Sequence, residues 1–361
     1  MFYHFILPLQ DFISYLRLFQ YITFRSAYAA VTALLFVLIF GNMVIKWLKK
    51  LEIGEEINKL GPDSHKSKAG TPTMGGIILL GSMLMSIALW GNFNNHYIII
   101  LIVATILLGI IGFIDDWMKS VLKKGNGMSA RIKMLLQIII ALGVTTVVYL
   151  YPSSEEHATM LYIPFLNEPV LDMLWFWIVF ATIVIVGSSN AVNLTDGLDG
   201  LAIGSVIIVA TTLGIMTYLT GHIEIASYLR IPYIPDSAEL TVFISAMVGA
   251  SIGFLWFNCN PASVFMGDTG SLSLGGIVGI VAILIKKEIF LFIVGGVFVL
   301  EAISVIIQVV TFKLRGRRVF KMAPIHHHFE LSGWPEQKVV VRIWILGIIL
   351  AIMGITSLKI L

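Results

Sequence analysis

Charge is what this sequence has least of. Only 12% of its 361 residues are Asp, Glu, Lys or Arg, while 58% are hydrophobic. A soluble domain carries about 25% charged residues, so that class is excluded. Cysteine is nearly missing: Cys259 stands alone, between Asn258 and Asn260. One cysteine forms no disulfide within the chain, and these neighbours make no metal-ligand pattern. No Cys/His set has zinc spacing, which points away from zinc. No P-loop signature is present, which excludes an ATP-driven pump of that class. The first residues, "MFYHFILPLQDF", lack a basic leading region and a small-residue cleavage site, so no cleaved signal is expected. There is no low-complexity tract and no clean internal repeat, and no nucleic-acid partner is expected.

What is there is a series of apolar runs of about 18–25 residues, the length that crosses a hydrocarbon core. They predict an all-α polytopic membrane protein, a single integral domain with ten transmembrane helices. The expected spans are 23–46, 74–92, 97–114, 132–151, 173–190, 201–219, 239–257, 271–286, 289–312 and 339–358. The eighth is the least distinct, because Lys286, Lys287 and Glu288 leave almost no loop before the ninth. Linkers 47–73, 115–131, 191–200, 258–270 and 313–338 then share one face. With their flanks they hold eighteen of the 24 Lys and Arg residues; Arg17, Arg25, Arg230, Lys286, Lys287 and Lys359 fall on the other. Basic residues in short loops stay cytoplasmic. The basic face is therefore expected in the cytoplasm and both termini outside. The outer linkers, rich in proline and aromatic residues, read as short structured caps.

The acidic residues gather on the basic face. Asp115 and Asp116 end the third span in "IIGFIDDWMKS", Asp196 and Asp199 follow the fifth in "NAVNLTDGLDGLAIG", and Asp268 follows the seventh in "NPASVFMGDTGS". A carboxylate near a membrane is costly and usually faces a bundle interior or a watery cavity. Asp196 alone also fits an N-cap for the helix that starts near Leu201. Five carboxylates, three asparagines and two glycine-rich turns on one face are harder to explain by capping. Asp196 and Asp199 are three apart, a spacing that shares a face on a helical turn. Gly197 and Gly200 let backbone approach a ligand. Clustered carboxylates with hydroxyl and amide oxygens suit a hard cation such as Mg²⁺.

Two more stretches of that face suit an anionic substrate. "SHKSKAGTPTMGG" (64–76) offers Lys66, Lys68, Thr71 and Thr73. "KLRGRRVFKMAPIHHHFE" (313–330) offers five basic residues, then His326, His327 and His328. Three consecutive histidines fit an exposed polar turn or an accidental chelator. Beside carboxylates they also fit phosphate binding or proton movement. The basic run also fits a contact with anionic headgroups.

With these residues in view, the chain resembles a family. "SKAGTPTMGG", "GFIDDW", "NAVNLTDGLDGLA", "FNCNPASVFMGDTGSLSLGG" and "FKLRGRRVFKMAPIHHHFELSGWPE" are similar to motifs of the bacterial phospho-N-acetylmuramoyl-pentapeptide transferases. That family lies in the polyprenyl-phosphate N-acetylhexosamine-1-phosphate transferase superfamily. The likeness covers all five linkers of the basic face. It implies transfer of phospho-MurNAc-pentapeptide from UDP-MurNAc-pentapeptide to undecaprenyl phosphate, giving lipid I and UMP. It also implies Mg²⁺ dependence, a place in the bacterial inner membrane and a homodimer. By the same resemblance Asp268 is the expected Mg²⁺ ligand, with Asp116 as a second. Asp115 is expected to hold or deprotonate the lipid phosphate. Lys68, Gly197, Asp199, Asn258 and Phe265 resemble the family's uridine pocket, Phe265 as a stacking platform. Thr73, Asn190, Asn193 and Asp196 resemble nearby polar contacts. Lys119, Lys123 and Arg131, with the three histidines, are expected to hold phosphates or the peptide-bearing sugar. Direct displacement is favoured over a phospho-aspartyl route.

Two rival readings stay open on sequence. One is a relative that moves GlcNAc-1-phosphate onto the same lipid. The other is a secondary transporter with a carboxylate relay. Transporters place such groups near the bilayer midplane, in broken helices, whereas these lie at span ends.

Overall fold

The computed structural model describes residues 2–6, 14–51, 70–122, 127–166 and 168–358. Helix α1 (Phe2–Ile6) and a 3-10 turn (Ser14–Gln20) precede α2 (Ile22–Lys50). Then come α3 (Gly76–Trp90), α4 (His96–Ser120) and α5 (Ala130–Leu150). A small antiparallel hairpin follows, β1 (Met160–Leu161) and β2 (Leu171–Asp172), with Met160 opposite Asp172. Next are α6 (Phe176–Thr195), α7 (Leu201–Thr220), the short α8 (Ile223–Leu229) and α9 (Ser237–Asn258). The chain finishes with α10 (Gly267–Leu284), α11 (Glu288–Val294), α12 (Gly296–Arg315), α13 (Ile325–Glu330) and α14 (Glu336–Thr356).

Among the described residues nine helices are long and apolar enough to cross a membrane: α2, α4, α5, α6, α7, α9, α10, α12 and α14. This is a polytopic all-α membrane protein. The second of the ten expected spans, 74–92, forms α3, which has only 15 residues. At 1.5 Å per residue it is about 22 Å long, short of a 30 Å hydrocarbon core. The ninth, 289–312, is divided at Gly295 into α11 and α12.

The eighth expected span, the least distinct in the sequence, is the central post of the fold. In α10 every residue from Asp268 to Leu284 is buried. It packs against α4 and α6, and also against α3, α7 and α11. Its sequence explains this: "GDTGSLSLGGIVGIVAIL" is rich in glycine and serine, and small residues let helix backbones approach closely. Gly112 of α4 meets the Asp268 carbonyl, where any Cβ would collide with backbone. A second group forms where α9 packs on α2 and α7. There Arg25 of α2 is buried and grips Glu239 of α9 with both nitrogens, Nη1 to Oε2 at 2.8 Å.

The far end of α10 is closed by the Lys286–Glu288 junction. Lys286 Nζ lies 3.9 Å from the centre of the Trp177 ring and donates to the Ala158 carbonyl; Trp177 Nε1 donates to Glu288 Oε1 at 3.1 Å. Burial pushes both Lys286 and Lys287 down to about 8, with Glu288 opposing it. These contacts fasten α10 and α6 to the linker between α5 and α6.

Candidate functional site

The opposite end of α10 gathers the carboxylates. Helix α4 runs on to Ser120, so Asp115 and Asp116 lie in its last turns and not in a loop. Successive helical residues point about 100° apart, and the pair divides its work accordingly. Asp116 faces the start of α10. Its Oδ1 accepts from Asp268 N at 3.0 Å; its Oδ2 accepts from Thr269 N at 2.9 Å and Thr269 Oγ1 at 2.7 Å. Those amides have no partner within their own helix, so a carboxylate there both satisfies them and meets the positive end of the helix dipole. Gly267, at φ +72°, makes the entry turn, with Thr73 Oγ1 and Asp116 packed where a side chain would stand.

Asp115 faces the other way. Its Oδ1 accepts from Met128 N at 2.6 Å. Its Oδ2 lies 2.9 Å from Lys119 Nζ and 2.8 Å from Lys133 Nζ. The same two ammonium groups lie 3.1 and 2.7 Å from Asp268 Oδ2. Two carboxylates and two lysines from α4, α5 and α10 thus form one alternating cluster. Lys119 is four residues after Asp115 and shares its face. Lys133 sits one turn into α5, after Ser129 caps that helix by accepting from Ile132 N at 3.4 Å.

Lys133 was not singled out by motif reading, which chose Arg131 instead. Arg131 is exposed, because residues two apart lie on opposite sides of a helix. The spacing in "ARIK" says that Arg131 and Lys133 point to different sides of α5, but not which of them faces the bundle. Lys68 and Lys123 lie outside the described residues.

The turn between α6 and α7 is not helical. Asp196 takes the C-cap position of α6, and Gly200, at φ +80°, takes the N-cap position of α7. The expectation that Asp196 and Asp199 share a helical face therefore fails, and so does the N-cap reading of Asp196. Asp199 is buried, and its Oδ2 accepts from Asn260 Nδ2 at 3.2 Å and from Ala262 N at 3.1 Å. Its amide donates to Glu336 Oε1 at 2.9 Å. Asn258 Oδ1 accepts from Gly200 N at 3.1 Å, while its Nδ2 donates to the Val264 carbonyl at 2.9 Å. Asp199 and Asn258 so tie the 196–200 turn to the 258–265 loop. Phe265 is half-buried; its amide donates to the Pro72 carbonyl, and its carbonyl accepts from Gly75 N, both at 2.8 Å. This ladder brings "TPTMGG" to the site. Asn193 accepts from Ser271 Oγ at 2.9 Å through Oδ1, and Asn190 donates to Gln137 Oε1 at 2.9 Å. Both sit on α6: Asn190 within the expected span, Asn193 beyond its expected end and not in a linker.

The three histidines are not an exposed turn. They form α13, and each has a separate environment. His326 is fully buried, with Nδ1 3.1 Å from Glu301 Oε2. His327 is buried, with Nδ1 2.8 Å from Glu330 Oε2. His328 is half-exposed, and its Nδ1 accepts from Lys321 N at 3.1 Å. Glu301 went unnoticed in the sequence, although a lone carboxylate in "GGVFVLEAISVIIQVV" is itself a signal.

The donor chemistry fits a hard divalent cation. Asp115 and Asp268 aim Oδ2 atoms at common points where lysine ammonium groups, cations themselves, are held within 3.1 Å. Among the described residues no three of His, Cys, Asp and Glu are arranged to hold a metal by themselves. Mg²⁺ takes one or two carboxylates and completes its shell with water and substrate phosphates. Asp116 spends both oxygens on α10, although Oδ1 keeps a lone pair. A separate shallow pocket, lined by Phe165, Arg230, Lys287 and Leu358 among others, lies at the other end of α10, away from this cluster.

A family model described as glycosyl transferase family 4 matches residues 98–286. A second, described as phospho-N-acetylmuramoyl-pentapeptide-transferase signature 1, matches residues 68–80. The chain is 52% identical over 361 residues, all of both proteins, to the phospho-N-acetylmuramoyl-pentapeptide-transferase of Desulforapulum autotrophicum. It is 50% identical over 360 residues, 99% of each, to the protein of that name from Thermodesulfovibrio yellowstonii. It is also 50% identical over 355 residues, 96% of each, to the one from Leptospira biflexa.

Proposed function

The chain belongs to the phospho-N-acetylmuramoyl-pentapeptide transferase family, and from that premise we propose how its residues carry the reaction. The enzyme moves phospho-MurNAc-pentapeptide from its UDP carrier to a polyprenyl phosphate, giving lipid I and UMP. Undecaprenyl phosphate is the proposed acceptor. An oxygen of the acceptor phosphate attacks the sugar-bearing phosphorus. The bond to UMP breaks, and UMP leaves with its own phosphate. Phosphoryl transfer asks a protein mainly for positioning and charge neutralisation.

The observation that carries the assignment of roles is the four-membered cluster of Asp115, Lys119, Lys133 and Asp268. Lys119 and Lys133 meet the phosphates, and Asp115 holds both ammonium groups in place. An acceptor phosphate is already ionised at neutral pH, so Asp115 acts better as an anchor than as a base. Asp268 would hold Mg²⁺, with Asp116 as a second ligand through its remaining lone pair. A bound Mg²⁺ supplies charge neutralisation at the diphosphate. Asp199, Asn258, Gly197 and Phe265 would take the uridine, with Thr73, Asn190, Asn193 and Asp196 around them. The half-buried Phe265 ring offers a face for stacking. The cluster faces the cytoplasm, where the nucleotide arrives, in the inner membrane of the cell. The homodimer is likewise a proposal, tested by the mass of the solubilised protein.

The test is direct. The protein in vesicles with undecaprenyl phosphate is given UDP-MurNAc-pentapeptide or UDP-GlcNAc. Lipid-linked product and UMP from the first are expected, with loss on chelation of divalent cations and return with Mg²⁺. Product from UDP-GlcNAc alone overturns the substrate assignment.

A further inference from the structure

Glu301 is the one carboxylate in the expected ninth span, and it is 1% exposed. A buried charge within a membrane-spanning helix is expensive and persists where it has a partner and a task. Its partner is His326, 25 residues on and in another helix. Glu301 Oε2 lies 3.1 Å from His326 Nδ1 and accepts from the His326 amide at 3.4 Å. The chain reverses between α12 and α13 to make this contact. One oxygen thus fixes both the backbone entry of α13 and the imidazole.

That contact decides the chemistry of the ring. A carboxylate on Nδ1 keeps the proton there, so the lone pair of neutral His326 is on Nε2. Nε2 is buried and has no hydrogen-bond partner among the described residues. It lies against Gly197, where a methyl group would collide with it; His327 Nε2 would stand 3.3 Å from that same methyl. Gly197 belongs to the turn that carries Asp196 and Asp199. A polar nitrogen buried without a partner, at the turn proposed to receive the nucleotide, is a group waiting for a ligand.

We infer that Glu301 is a positioning residue for the transfer: it sets the tautomer and the direction of His326, so that Nε2 is presented at the Gly197 turn. Glu301 touches no substrate. It acts through the ring, as the carboxylate of a catalytic triad acts through its histidine. An amide in its place can donate to Nδ1 and move the proton to Nε2, leaving the shape of the site intact and its polarity reversed. The inference rests on the transfer reaction proposed above.

Glu301→Gln, His326→Ala and the double variant are compared with the unmodified enzyme in the lipid I assay. Product from the unmodified enzyme tests the reaction itself, independently of Glu301. Glu301→Gln is expected to lower kcat/KM for UDP-MurNAc-pentapeptide, and with it kcat, at least about tenfold, with an unchanged thermal midpoint. In the His326→Ala background the same change is expected to cost nothing more, because the group it acts through is gone. Wild-type kcat in Glu301→Gln overturns the inference. So does a loss that multiplies in full with that of His326→Ala, or one that comes with a lowered thermal midpoint.

Discussion

Asp268 and Asp116 touch through one backbone amide, yet substitution should affect them differently. Asp268 sends a carboxylate oxygen toward Lys119 and Lys133. Asp268→Asn keeps the size and removes the charge. Turnover should fall by at least about 100-fold while the protein keeps its thermal midpoint, as measured by lipid I formation and a melting curve. Lys133→Met should cost far more activity than Arg131→Ala in the same assay. Of these two, Lys133 reaches the carboxylates, while Arg131 is exposed. The sequence showed that acidic and basic residues meet on one face. It did not show which lysine turns inward, because that depends on how α5 is rotated about its axis, and a weakly amphipathic span leaves this to packing. The histidines carry the same lesson. "HHH" reads as one motif, but the α13 turn sends His326 to Glu301, His327 to Glu330 and His328 toward Lys321.

At the scale of the element, the start of α10 is held by a side chain from another helix. Asp116 satisfies two backbone amides and one hydroxyl there. Asp116→Ala should destabilise the fold by about 2 kcal/mol, read from denaturant unfolding, because it strands buried donors at a helix terminus. It should also depress transfer, since Asp268 is the second residue of that helix. The existence of nearly every span was legible from apolar run length alone. Their ends were not: α4 and α6 each run past the expected boundary, so that Asp115, Asp116 and Asn193 are helical. A helix ends where its backbone groups find other partners, and here those partners lie on distant segments. The importance of α10 was hidden for a related reason. Small residues lower the hydropathy of a run, and they are what lets a helix be surrounded.

At the scale of the molecule, orientation is the open quantity with the simplest probe. Cys259 is exposed, stands alone, and belongs to the 258–265 loop beside Asp199. In intact cells a membrane-impermeant maleimide should leave it unlabelled. In inverted membrane vesicles the same reagent should label it. The reverse pattern would place the carboxylate cluster outside.

The short α3 sets a spacing. Its first turn sits at the cluster through the Gly75 and Gly76 amides, which donate to the Phe265 and Met266 carbonyls at 2.8 Å, and its last residue, Trp90, receives Arg25 near the other end. That ruler measures about 22 Å. A hydrocarbon slab is about 30 Å thick, so α3 alone is about 8 Å too short to cross it. Tied to the 265–266 backbone at one end and to Arg25 at the other, it is a strut between two fixed points, and a change in its length would pull one of them out of place.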